Sequence, residues 1–176
     1  ASITIDNSEP SIDSISITPS TVYNDSVLTC LATASDADET VAPTYEWTVG
    51  SVTYTGDTLD LGTTGAMPND VVLCTASVSD STGATAQSSA SATVENRDPS
   101  ILGTSLTPSV VYTDSLVTCS TSLSDDDGET PTYDIEWSIN GNSISTGDTI
   151  QLDTTLVSVG DSLTCTISAT DGYGGT

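Results

Sequence analysis

The chain has 176 residues, including 25 Asp and Glu, one basic side chain (Arg97) and no His, and its formal net charge at pH 7 is −24. A surface this acidic excludes the basic contacts that hold nucleic-acid phosphates, and it disfavours anionic membranes. Because His and Lys are both absent, the usual general bases and nucleophiles are missing, and we expect a protein that is not an enzyme. No apolar run is long enough to insert into a membrane.

The first half of the chain consists of short segments in which apolar residues alternate with Ser and Thr. In chain order these segments are Ser14–Ile17, Val27–Ala34, Thr44–Val49, Ser51–Tyr54, Thr58–Leu61, Val71–Ser79 and Ala84–Val94. Gly, Asn, Asp or Pro separate them, and no apolar period of 3.6 residues occurs. About seven short strands with turns at this spacing predict an antiparallel β-sandwich with almost no helix.

The second half of the chain repeats the first. The segment that begins at Pro10 recurs from Pro99 with an offset of 89 residues, and Trp47 recurs as Trp137. Self-similarity at this period indicates one structural module used twice. The predicted parts are a leading strand and linker (residues 1–9), domain 1 (10–95), a linker (96–98) and domain 2 (99–176).

The four cysteines fall two to each half: Cys30 and Cys74, then Cys119 and Cys165. They form no CxxC pair, and no His is present to complete a zinc site. We therefore expect two disulfides, each closing a loop of about 45 residues. Disulfides of this kind imply an oxidising compartment and an extracellular or cell-surface location.

The order Cys, Trp, Cys in each half resembles the B-strand cysteine, C-strand tryptophan and F-strand cysteine of immunoglobulin domains. The resemblance implies two tandem immunoglobulin-like antiparallel β-sandwiches, in which Trp47 and Trp137 pack against the disulfides in the cores. Asp-rich loops and a Pro-marked start of each module are similar to bacterial Ig-like and polycystic-kidney-disease-type surface repeats.

The two ends of the chain match parts of the module that they do not complete. Ala1–Ile5 aligns with Ala90–Val94, the end of the last predicted strand of domain 1, and Thr176 aligns with Thr85, where that strand begins. Domain 2 is therefore expected to lack its last strand in cis, while a spare last strand precedes domain 1. The residues of this donor-like strand are Ala1, Ser2, Ile3, Thr4 and Ile5.

Three roles are compatible with this organisation. Strand Ala1–Ile5 of one copy can complete domain 2 of the next copy, and such head-to-tail contacts generate an open filament. Alternatively, the chain is one period of a long covalent repeat, which also forms an elongated fibre. A third possibility is an adhesin stalk or ligand-binding surface module, whose loops recognise a protein or a glycan. Exposed Ser and Thr can also carry glycans.

Acidic residues cluster in the loop that follows the first cysteine of each module, at Ser35–Glu39 and Ser124–Glu129. Alternating carboxylates suit calcium, which takes many oxygen ligands, and acidic linkers beside such loops resemble the calcium-rigidified junctions of cadherins. The competing interpretation is a set of solvated turns, because Asp, Asn and Gly favour turns without a ligand. The candidate calcium ligands are Asp6, Asn7, Glu9, Asp36, Asp38 and Asp80 in the first module, and Glu95, Asp98, Asp125, Asp127, Glu129 and Asp171 in the second.

Overall fold

A computed structural model describes the whole chain, residues 1–176, as an all-β protein. The chain divides into two compact units, Ala1–Asn96 (unit 1) and Arg97–Thr176 (unit 2). The only helical segment is a single 3₁₀ turn, Leu61–Thr63, which is far too short to cross a lipid bilayer. The prediction of an all-β chain made of antiparallel sheets is confirmed.

Unit 1 contains seven strands arranged in two antiparallel sheets. The strands are β1 (Ser11–Thr18), β2 (Val27–Ser35), β3 (Thr44–Val49), β4 (Val52–Thr55), β5 (Thr58–Asp60), β6 (Val71–Ser79) and β7 (Thr85–Thr93). One sheet has the order β1-β2-β5 and the other the order β4-β3-β6-β7. The strands form where β-branched residues alternate with small polar ones, because the pleat sends successive side chains to opposite faces.

Strand β6 illustrates how this alternation builds the core. Its buried residues are Val72, Cys74, Ala76 and Val78, and the residues between them face outward or are only half-buried. The first of these, Val72, is fully buried in the core cluster of unit 1. Every second residue thus contributes apolar surface to the space between the sheets, which stabilises the folded unit.

A disulfide and a tryptophan hold the two sheets of unit 1 together. The Cys30–Cys74 bridge joins β2 of one sheet to β6 of the other. Trp47 on β3 is fully buried beside it, and its indole Nε1–H donates a hydrogen bond to the Gly56 carbonyl at 3.0 Å. The large apolar ring therefore enters the core without leaving its one polar group unpaired.

Unit 2 repeats this plan with six strands. They are β8 (Ser100–Thr107), β9 (Leu116–Ser124), β10 (Thr132–Ile139), β11 (Asn142–Thr146), β12 (Thr149–Gln151) and β13 (Leu163–Thr170). The sheet orders are β8-β9-β12 and β11-β10-β13. The Cys119–Cys165 bridge again joins the two sheets, and Trp137 Nε1–H donates to the Gly147 carbonyl at 2.7 Å.

A two-residue turn connects β10 to β11 in unit 2. Asn140 and Gly141 both adopt positive φ angles, 50° and 83°. Two consecutive left-handed residues make a type I′ turn, whose twist matches that of the flanking strands, and Asn-Gly is the pair that tolerates it best. This turn fixes the position of the Asn140 side chain at the end of the sheet.

The units differ at the outer edge of the second sheet. In unit 1, β7 pairs with β6 over nine residue pairs, from Val71 opposite Thr93 to Ser79 opposite Thr85. In unit 2, β13 is the counterpart of β6 and lies at the edge of its sheet, with no strand beyond it. Residues 1–10 form no strand. An unpaired strand edge presents a row of free backbone hydrogen-bonding groups.

The two disulfides are expected to contribute similar amounts to stability. Replacing both cysteines of one bridge by alanine should lower the free energy of unfolding of that unit by about 4 kcal/mol, because the unfolded chain regains the entropy of an open loop. The sequence separations are 44 residues in unit 1 and 46 in unit 2, so each double variant is a matched control for the other. Denaturation by guanidinium chloride measures the effect, and a loss below about 1 kcal/mol would contradict this account.

Candidate functional site

Val94, the residue that follows β7, closes one end of the unit 1 core. Val94 is 1% exposed and belongs to the apolar cluster around Trp47. Its carbonyl accepts a hydrogen bond from Asn69 N–H at 2.8 Å, and its N–H donates to the Asp70 carbonyl at 2.9 Å. The next residue, Glu95, donates its N–H to the Val22 carbonyl at 2.7 Å. Val94 therefore acts as an apolar plug that is fixed on both sides by backbone hydrogen bonds.

The corresponding backbone groups of unit 2 have no such partners. The counterparts of Val22, Asn69 and Asp70 are Val111, Gly160 and Asp161. Neither the Gly160 N–H nor the carbonyls of Asp161 and Val111 make a backbone hydrogen bond within the chain. Val111 is 40% exposed, whereas Val22 is fully buried. Unit 2 thus has the counterparts of the backbone groups that bond to Val94 and Glu95 in unit 1, but it lacks the residues that would pair with them.

An apolar groove of about 540 Å³ lies at this place in unit 2. The large apolar side chains that line it include Leu106, Val111 and Val159, which are exposed, and Val157 and Leu163, which are more buried. Val159 is 97% exposed, whereas Pro68, which aligns with it in unit 1, is buried. A concave cluster of exposed apolar side chains marks a surface that is stabilised when a partner covers it.

The carboxylate at the edge of this groove is held by two hydrogen bonds. The Ser158 N–H and the Asn140 side-chain amide each donate a hydrogen bond to Asp161 at 2.8 Å. These two bonds, that of Ser158 first, hold the pKa of Asp161 below its ordinary value. Because both oxygens are already bonded, the carboxylate does not require a charged partner.

In unit 1, the candidate calcium ligands contact the segment that precedes β1. The Asn7 side-chain amide donates to Asp80 Oδ2 at 2.8 Å, and Ser8 N–H donates to Asp38 Oδ2 at 2.6 Å. The bond from Asn7 is the main cause that lowers the pKa of Asp80. Asp36 accepts a bond from Asp38 N–H with one oxygen, and its other oxygen is buried without a hydrogen-bond partner.

In unit 2, three carboxylates converge more closely. Oxygen atoms of Asp125, Glu129 and Asp171 lie within 4.8 Å of one another. One oxygen of Asp125 and one of Glu129 are buried without a hydrogen-bond partner. Burial raises the pKa of Glu129, and the charges of Asp171, Asp125 and Asp127 raise it further. This geometry offers several oxygens to a hard cation, and a cation there would offset the mutual repulsion.

The single basic residue of the chain occupies the neighbouring position in unit 2. Arg97 Nε–H donates to Asp127 Oδ1 at 2.9 Å, and its backbone N–H donates to Asp127 Oδ2 at 2.7 Å. The guanidinium also donates to the Asp126 carbonyl at 2.8 Å. In unit 1, Ser8 and Asp38 stand at the equivalent positions and make only the backbone N–H bond, so the Arg97 guanidinium adds an ion pair in unit 2.

The remaining candidate ligands are not part of these contacts. They are Asp6, Glu9, Glu95 and Asp98, and all four are exposed. The sequence interpretation also missed Glu39, whose carboxylate accepts a bond from Ser81 N–H at 2.5 Å, as Glu129 does from Gly172 N–H at 3.3 Å. The sequence could have indicated Glu39, because this residue aligns with the candidate ligand Glu129 after one inserted residue.

No protein-family model matches the chain, and no curated protein is similar to it. The class that the structure itself defines is a disulfide-linked, all-β protein of two units built from antiparallel sheets. Two disulfides indicate folding in an oxidising environment, as in secreted proteins.

The hydrogen bond from Asn140 to Asp161 gives a pH-dependent contribution to stability. Because the pKa of Asp161 is lowered in the folded state, the stabilisation is present above the ordinary pKa of Asp and is lost as the pH falls through the lowered value. Replacement of Asn140 by Gly keeps the left-handed turn and removes the amide, so the pKa of Asp161 should rise. Carboxyl NMR titration measures the change.

Asp153 provides the internal control for this titration. Its pKa is lowered mainly by a hydrogen bond from the Thr155 hydroxyl, which the substitution leaves in place. The pKa of Asp153 should therefore be the same in both proteins. Unfolding by urea should show a lower free energy of unfolding for the Asn140→Gly variant at pH 7, and this difference should shrink as the pH falls through the lowered pKa of Asp161. An unchanged pKa of Asp161 would contradict this assignment.

Proposed function

We propose that the protein is a structural subunit of an extracellular filament or cell-surface fibre. In this proposal strand Ala1–Ile5 of one copy pairs with the open edge of β13 in unit 2 of the next copy. The observation that carries the proposal is the difference between the units: β7 and Val94 cover the edge of β6 and the core in unit 1, whereas the outer edge of β13 is unpaired in unit 2. The proposed role requires no catalytic chemistry.

The free segment at the start of the chain has the properties of the proposed donor. Ile3 and Ile5 are 93% and 91% exposed, which is unfavourable for two large apolar side chains. They are separated by one residue, so both lie on the same face when the segment is extended. Addition of such a strand to a sheet edge gains backbone hydrogen bonds along its length and specificity from its alternate side chains.

The proposed joint is heterologous, because the donor surface and the acceptor surface are different parts of the chain. A heterologous contact that does not close into a ring produces an open, head-to-tail assembly. We further propose that each unit is an immunoglobulin-like sandwich, on the basis of a disulfide that links two sheets beside a buried tryptophan. A long covalent chain of such units would make the same pairing between successive modules.

The size distribution of the purified protein tests the proposal. We expect the 176-residue chain to form oligomers whose mean mass rises with concentration, observed by light scattering and by electron microscopy as fibres. Removal of residues 1–5 should leave monomers, because the acceptor loses its donor. A control with Ser2 and Thr4 changed to Ala retains both isoleucines and should still assemble. If the intact chain is a monomer at all concentrations, the proposal is wrong.

An adhesin stalk or ligand-binding surface module is the alternative function, and the same preparation distinguishes it. A stalk remains monomeric or short and binds glycans or a protein through its loops, whereas a fibre subunit assembles without any added ligand. Retention of the monomer on a glycan array would favour the alternative.

We also propose that the acidic cluster of unit 2 binds calcium. The support is the convergence of Asp125, Glu129 and Asp171 together with the buried carboxylate oxygens that have no hydrogen-bond partner. Calcium prefers oxygen ligands in flexible geometry, and its charge would offset the repulsion that raises the pKa of Glu129. Binding would stabilise the loops that follow β9 and β13.

Thermal unfolding with and without calcium tests this second proposal. At a calcium concentration well above Kd, Tm should rise by about 5 °C or more relative to EDTA, because the ion binds the folded state alone. Glu129→Gln should abolish most of the rise. Glu136→Gln is the matched control, since Glu136 is an exposed glutamate on β10 outside the cluster. Identical melting of the intact protein in calcium and in EDTA would exclude the site.

A further inference from the structure

We infer that unit 2 accepts the donor strand of a second copy in a single register, in which Ile5 fills the apolar groove and Ile3 lies opposite Leu163. The inference rests on the proposed function and identifies the residues that give the joint its specificity. It follows from unit 1, where an equivalent strand is already in place.

The register can be transferred because both partners have counterparts in unit 1. Ala1–Ile5 aligns with Ala90–Val94, and β13 aligns with β6. In unit 1, Ala92 lies opposite Val72 and Thr93 lies opposite Val71. The same pairing in the joint places Ile3 opposite Leu163 and Thr4 opposite Ser162.

Three unpaired backbone groups of unit 2 are positioned to pair with the end of the strand in this register. They are the Gly160 N–H and the carbonyls of Asp161 and Val111. In unit 1 the equivalent groups bond to Val94 and to the residue after it. In the joint they would bond to the Ile5 carbonyl, the Ile5 N–H and the Asp6 N–H. A shift by one residue would turn both isoleucines away from the core. A shift by two would keep the backbone bonds but would place Ile3 or Asn7, in place of Ile5, at the groove.

The apolar side chains of the donor match the space in unit 2. Ile5 is larger than Val94, and it meets a groove of about 540 Å³. Ile3 is larger than Ala92, and here unit 2 has the complementary change. Ile15 of β1 packs against the unit 1 core, whereas the residue that aligns with it is Thr104, which is smaller and exposed. Ala92 and Ile15 both pack against the unit 1 core. In the joint, the larger Ile3 takes the position of Ala92, and the smaller Thr104 takes that of Ile15.

Charge also favours this occupant over other parts of the chain. The groove contains one charged side chain, Asp161, whose carboxylate already accepts two hydrogen bonds. In a chain of net charge −24, most segments outside the sheets carry carboxylates that the groove would repel. Ala1–Ile5 carries no charged side chain, and the first carboxylate, Asp6, follows the residue that fills the groove.

Disulfide trapping tests the register directly. The double variant Thr4→Cys, Ser162→Cys should crosslink on mild oxidation and give a ladder of multimers on a non-reducing denaturing gel. The matched control Thr4→Cys, Thr164→Cys places the second thiol two residues away, about 7 Å along the strand, and should give little crosslinking. A stronger ladder in the control would overturn the register. Loss of thiols without a ladder would mean that each chain fills its own groove, and would overturn the joint between copies.

Substitutions of Ile5 test its role as the apolar anchor. Ile5→Ala should weaken assembly about 10- to 100-fold, as expected for removal of one buried aliphatic side chain, and Ile5→Val should be close to the original protein. Ile5 is exposed in the free chain, so folding of the monomer should be unaffected. If the original chain assembles and Ile5→Ala assembles equally well, the register is wrong while the proposed function stands. If no variant and no original chain assembles, both fail.

Discussion

The pairing of backbone groups at the edge of a sheet is the constraint on which the rest of this structure depends. A strand that faces the core on one side must still find partners for its N–H and C=O groups. In unit 1, β7 pairs with the backbone groups at the edge of β6, and Val94 covers the end of the core. Unit 2 has the equivalent disulfide and the equivalent buried tryptophan, but its β13 has no outer neighbour. The proposed function and the proposed register both follow from this one difference.

The strands of unit 1 were largely predictable from the sequence, because alternation is a local property. Thr44–Val49 and Val71–Ser79 begin and end where the pattern of apolar residues predicted. The predicted strand Ser51–Tyr54 is shifted by one residue, since the turn at Gly50 takes one more residue than its composition indicates. Boundaries at turns depend on backbone angles, which apolar alternation does not report.

The site was less predictable, because it depends on contacts between residues far apart in the chain. Asp125, Glu129 and Asp171 were all candidate calcium ligands of the second module, but the sequence did not indicate which of the six candidates would bring their oxygens within 4.8 Å of one another. Alignment of the two halves indicated the missing strand, but not the groove that the missing strand leaves. The sequence also does not indicate that the Gly160 N–H and the Asp161 carbonyl lack backbone partners, because this depends on the three-dimensional structure.

The cross-sheet disulfides have a mechanical consequence. When the ends of the chain are pulled apart, force passes from Cys30 to Cys74 through the sulfur atoms, so the 44-residue interval between them carries no load. Without the bridge, that interval could extend to about 150 Å when it unfolds. Under tension each unit can therefore extend only through the segments outside its bridge, which removes roughly half of the length that the unit could otherwise gain.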